Sequence, residues 1–123
     1  MLSNIFVRTR PLLEEKKYPI NIDKFIEFMG RYSSSAWVYP AVLRRELKID
    51  MKMVYQLLEV CRELGLLKQY LELYCPNCQR YSGYRYETLS ELPEEIECQQ
   101  CGELIEDTVH YAIVIYRVCD IHE

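Results

Sequence analysis

Four of the six cysteines fall into two pairs of identical spacing. Cys75 and Cys78 sit in "YCPNCQ", Cys98 and Cys101 sit in "ECQQCG", and nineteen residues separate Cys78 from Cys98. Two residues between ligands let one tight turn aim both sulfurs at a single ion, and the turn's own N–H groups offset thiolate charge. Pro76 and Gly102 suit such turns, the first by fixing φ and the second by accepting a positive φ directly after its cysteine pair. The pattern therefore predicts one Zn2+ held by Cys75, Cys78, Cys98 and Cys101 in a closed tetrahedral shell. Such a shell leaves no position for water, so the metal is expected to be structural. A dithiol redox pair and an iron ion are competing readings, and spacing alone does not separate zinc from iron. Cys61 lies on an apolar helix face and Cys119 follows a strand; neither has a partner at ligand spacing, and both are expected to be free thiols.

The rest of the chain sets the context for that chemistry. No stretch approaches the roughly 18 consecutive apolar residues of a membrane span, and "MLSNIFVRTRPLLEEKKY" lacks the basic start and apolar core of a secretory signal. A cytoplasmic setting with no membrane partner is the expectation, and there thiolates persist as metal ligands more readily than as disulfides. At 123 residues, of which 50% are hydrophobic, the chain can form one compact domain or two very small ones.

Helical periodicity dominates the first half. Ile22, Phe25, Ile26 and Met29 form one face of a helix capped by Asn21; Pro40 opens a second helix bearing Leu43 and Leu47; Asp50 caps a third, whose stripe runs from Met53 to Leu64 before Gly65 stops it. A short apolar "AWVY" precedes the second helix, and "LKQYLELYC" then alternates like a strand. Three helices, a short strand and a following ribbon predict an α+β fold: a winged helix-turn-helix at residues 20–74, joined directly to a zinc ribbon with a long final β-strand at residues 75–123. Residues 1–19 are expected to be an extended N-terminal segment.

The stretch "YPAVLRRELKIDMKMVYQLLEVCRELGLLKQYLELYCPNC" resembles the helix-turn-helix and wing of winged-helix proteins running into a zinc ribbon. In architecture it is similar to transcription factor E alpha-type proteins and to small bacterial winged-helix/zinc-ribbon proteins. That resemblance spans roughly residues 20–118 and implies a non-enzymatic adaptor or regulatory subunit. The family's helical connector between the two modules has no counterpart here, so its polymerase contact is not implied.

Charge divides the chain. Residues 1–70 hold twelve Lys/Arg against eight Asp/Glu, a net +4, whereas residues 71–123 hold three against eleven, a net −8. Any affinity for a phosphate backbone must therefore come from the first half. There Arg44, Arg45, Lys48 and Lys52 cluster in sequence, and Lys52, Tyr55 and Gln56 occupy outward positions near the start of the third helix, where a DNA reader would place base contacts. Glu59 and Glu63 on the same face oppose that reading, and a partner-facing or solvated surface is the other expectation. In "RYSGYRY", Arg80 and Arg85 alternate with tyrosines as in single-strand binders, although strand tyrosines of a small ribbon also serve to cover the metal.

The last apolar stretch, "TVHYAIVIYRV", reads as a strand with Val109, Tyr111, Ile113 and Ile115 on one face. Ala112, Val114, Tyr116 and Val118 make the other face apolar too, so the strand needs cover: by the winged-helix core, by "NIFVRTR" adding a strand, or by a second protein binding through strand addition. A homodimer is also among the expected partners. His110 is expected to be structural. With two histidines, no phosphate-cradling glycine loop and no nucleophile beside an identifiable base, the chain is not expected to be an enzyme.

Overall fold

The computed structural model describes residues 4–119 and is mixed α+β. After a short 3-10 turn at Ile5–Thr9 come four α-helices, α1 (Arg10–Lys16), α2 (Ile22–Met29), α3 (Pro40–Leu47) and α4 (Met51–Glu63). The six strands are β1 (Trp37–Val38), β2 (Leu67–Tyr74), β3 (Tyr81–Tyr86), β4 (Glu95–Glu97), β5 (Leu104–Glu106) and β6 (Ala112–Val118). One sheet has the strand order β1-β6-β2-β3, and β4 and β5 form a separate hairpin. No described helix is long and apolar enough to cross a membrane.

The chain divides into two compact units, one of residues up to Lys68 rejoined from Tyr116 onwards, the other of Gln69–Ile115. The expected boundary at residue 75 thus falls inside the second unit, and the first unit is not contiguous in sequence. The reason lies in β6, whose final residues pair with β1 in the register Trp37↔Arg117 and Val38↔Tyr116. Residues 1–3 and 120–123, the outer ends of the expected segments 1–19 and 75–123, lie outside the described residues.

In the first unit the three expected helices form, two at their predicted caps and one from Pro40. The Asn21 side chain accepts from the Lys24 N–H at 3.0 Å, and Asp50 accepts from the Met53 N–H at 2.8 Å. Gly65 takes φ +77, which lets the Leu66 N–H reach the Cys61 carbonyl at 2.9 Å and close α4. Residues 5–16 are helical rather than extended, correcting the reading of "NIFVRTR" as a strand. Phe6, Thr9 and Leu13 are all buried at a spacing of three and then four, a helical period, and Asn4 caps the turn by accepting from the Phe6 N–H at 3.0 Å. Asn4 also donates to the Ile26 carbonyl at 2.9 Å, tying this segment to α2. The contact needs Gly30, because a Cβ there would come within 2.3 Å of the Asn4 amide.

Tyr116 is the largest fully buried side chain of this unit. Its hydroxyl donates to Glu59 at 2.8 Å, while Arg62 donates to the same carboxylate at 2.9 Å. Those two donors draw the Glu59 carboxyl below its ordinary range, Arg62 being the stronger, and burial is the main cause of the raised Tyr116 phenol. Cys61, sealed on the inner face of α4, is pushed up to about 12 by burial and stays a thiol at neutral pH.

In the second unit β2 and β3 are antiparallel, with Glu72 opposite Arg85. Glu72 is almost fully buried, and Arg85 donates to its carboxylate at 3.0 Å. Residues Thr108–Tyr111 form a 3-10 turn, so Val109 and Tyr111 do not lie on the final strand as expected. Val109 is exposed, Tyr111 packs on the cysteine cluster, and Ile115 is buried. Val109 and Tyr111 therefore do not share a strand face with Ile113 and Ile115, and β1 pairs with β6 at Tyr116 and Arg117.

Glu72 is buried while the Arg85 side chain is 36% exposed, so solvent screens part of this pair. Arg85→Ala is therefore expected to lower unfolding stability by about 1 kcal/mol, less than loss of a fully buried pair. The double variant Glu72→Leu/Arg85→Leu should recover most of that loss, as measured by urea denaturation.

Candidate metal centre

Two backbone turns of the same design carry the four cysteines. In the first, the Gln79 N–H donates to the Cys75 carbonyl and the Cys75 N–H donates to the Arg80 carbonyl, both at 2.9 Å. In the second, Gly102 to Cys98 and Cys98 to Glu103 repeat these bonds at the same 2.9 Å. The residue after each pair is left-handed, Gly102 at φ 79 and Gln79 at φ 58. A glycine marks only one of these positions, so sequence reasoning found Gly102 and missed Gln79.

The turns bring all four Sγ atoms within 4.8 Å of one another. Cys75 and Cys101 approach to 3.7 Å, and Cys78 and Cys98 to 3.9 Å. Four sulfurs about 2.3 Å from a tetrahedral ion stand about 3.8 Å apart, so the cluster fits a single metal ion. Two further donors reach the sulfurs: the Gln100 N–H donates to the Cys98 sulfur at 3.3 Å, and the Asn77 amide reaches across to the Cys101 sulfur at 3.6 Å. Burial pushes the Cys75 thiol up to about 11, whereas backbone N–H donation near Glu103, then Asn77, draws Cys101 down to about 7.

The apolar cluster around the sulfurs is small. Cys75, Cys98 and Ile105 are buried together, with Ile96, Tyr111 and Cys78 packed against them. Ile96 faces Ile105 across the β4–β5 hairpin. Tyr74 caps the first turn, its hydroxyl donating to the Gln79 carbonyl at 2.8 Å and its ring meeting Tyr81 edge-on at 5.5 Å. With Arg85 held by Glu72, "RYSGYRY" has two of its members engaged in packing and pairing.

Elsewhere, Arg44 and Arg45 stand exposed in the last turn of α3, Lys48 follows with a left-handed backbone, and Lys52 is exposed in the first turn of α4. Arg45 lies 3.5 Å from Glu46. Tyr55 and Gln56 are half-buried, and the Tyr55 ring sits 6.4 Å from that of Tyr116. Lys52, Tyr55 and Gln56 share a groove of about 340 Å³ with Lys16, Tyr18, Glu59, Val60 and Glu63. The sequence reading did not include Lys16 and Tyr18, which lie far from α4 along the chain. No family model matches the chain, and the comparisons with curated proteins and with solved structures return no match.

Thiols bind a metal as thiolates, so protons compete with it and affinity falls as pH falls. Cys98→Ser is expected to abolish stoichiometric metal retention, checked by native mass spectrometry. In the unsubstituted chain, half-release by a fixed chelator should require less chelator at pH 6 than at pH 8.

Proposed function

We propose that this chain is a non-enzymatic binding module, a winged helix-turn-helix running into a ribbon built on one structural zinc ion, and that it serves in the cytoplasm as a protein-interaction adaptor or regulatory subunit. The observation that carries this reading is the surface of the cysteine-bearing unit. Leu89, Leu104 and Val109 are 59%, 48% and 61% exposed there, among the exposed carboxylates of Glu87, Glu91, Glu94, Glu95, Glu97, Glu103, Glu106 and Asp107. Large exposed apolar side chains suit a protein contact, and the carboxylates repel nucleic-acid phosphate. Four thiolates around Zn2+ add about two further negative charges. In so thin a core the ion supplies folding energy on the order of 10 kcal/mol.

One observation favours a second reading, a DNA-binding transcriptional regulator: Arg44, Arg45, Lys48 and Lys52 are exposed on either side of the turn between α3 and α4. Against it, Tyr55 and Glu59 on the face expected to read bases are engaged with Tyr116.

A salt-graded titration with random-sequence duplex DNA separates the two readings. The adaptor reading expects one zinc per chain and no DNA affinity near physiological salt, together with a bound protein partner that Leu104→Asp/Val109→Asp releases without loss of zinc. DNA binding that falls steeply with salt and is weakened by charge reversal at Arg44 and Arg45 would establish the regulator instead.

A further inference from the structure

The groove along α4 has chemistry that neither the zinc site nor the Leu104 and Val109 surface explains. Lys16 and Lys52 line it, and neither ammonium has an ion-pair partner among the described residues. Half-buried Tyr18, Tyr55 and Gln56 line it as well. Lys52 stands in the first turn of α4 and Glu63 at its end, about 16 Å apart along the axis. Of the acids on the far side, Glu59 is occupied by Arg62 and Tyr116, while Glu63 is exposed. Along α4 the groove thus runs from Lys52 past Tyr55 and Gln56 to Glu59 and Glu63, with Lys16 and Tyr18 also lining it. It suits an acidic segment that carries an exposed aliphatic side chain.

This chain has such a segment. In residues 89–94, "LSELPE", Leu89 is 59% exposed and Glu91 and Glu94 are exposed. The Thr88 hydroxyl donates to the Glu91 carboxylate at 3.2 Å, fixing the short 3-10 turn that presents Leu89. The two units are also opposite in charge. The described residues of the first hold thirteen Lys/Arg against eight Asp/Glu, and Gln69–Ile115 holds two against nine.

We propose that the chain associates with a second copy of itself, the α4 groove of one molecule receiving residues 89–94 of another. Leu89 packs on Tyr18 and Tyr55, and Glu91 and Glu94 pair with Lys16 and Lys52. The contact is heterologous, since the two faces differ, so association continues beyond a dimer unless a ring closes. It is small and charge-driven, hence weak and sensitive to salt.

Sedimentation of the zinc-loaded full chain over rising concentration, at low and high salt, tests this. Wild type is expected to associate at low salt and dissociate at high salt. Lys16→Glu/Lys52→Glu and Glu91→Lys/Glu94→Lys should each weaken association by roughly tenfold, with circular dichroism and zinc content unchanged. An equimolar mixture of the two variants should associate again, because each then offers the other a complementary face. A wild type that stays monomeric throughout, or association unmoved by either charge swap, overturns the proposal. A monomer that still holds a heterologous partner through Leu104 and Val109 overturns self-association while leaving the adaptor reading in place.

Discussion

Four thiols gathered within 4.8 Å are the constraint on which the second unit depends. Around the sulfurs Ile105 is buried, with Ile96 and Tyr111 leaning on the cluster, while Leu71, Leu73 and Ile115 are buried on β2 and β6. So small a cluster contributes little apolar burial of its own to the turns and the hairpin around it. The cysteine turns therefore do the work that a hydrophobic core does elsewhere. Their duplicated hydrogen bonds show how: each turn satisfies its own backbone groups while leaving both sulfurs directed at a common point.

The first unit rests on a different balance. Side-chain caps start α2 and α4, a left-handed glycine ends α4, and the interior is filled by Phe6, Leu13, Phe25, Met29, Leu57 and Tyr116. Placing a phenol in that interior requires a partner for its hydroxyl, and Glu59 provides it. The cost falls on the outer face of α4, because Glu59 and Tyr55 turn toward Tyr116. A helix face that looks available in a linear reading is thereby partly spent inside the fold.

These two balances account for what could be read from the chain alone. Cys75, Cys78, Cys98 and Cys101 were legible because ligand spacing is local, and Asn21, Asp50 and Gly65 were legible because caps act over three or four residues. Residues 5–16 were not, since Phe6, Thr9 and Leu13 show their helical period only once Thr9 is known to be buried. Glu72 was missed for a similar reason: its burial depends on Arg85 across the strand pair. The strand reading of Val109 and Tyr111 failed because alternation cannot distinguish a strand from a short 3-10 turn when the turn's residues are also apolar. The unit boundary was invisible because it depends on Tyr116 returning to pair beside Val38.

That return governs how the molecule can be made. The first unit receives Tyr116 and Val118 as buried residues, and Ser35 and Arg117 bond across 82 positions of sequence. A ribosome releases the N-terminal helices first, yet their interior stays incomplete until the whole cysteine-bearing insert has emerged behind them. Vectorial synthesis thus lets the cysteine-bearing unit fold before the first unit can be completed, so the time its residues take to emerge sets how long an unfinished helical core stands open.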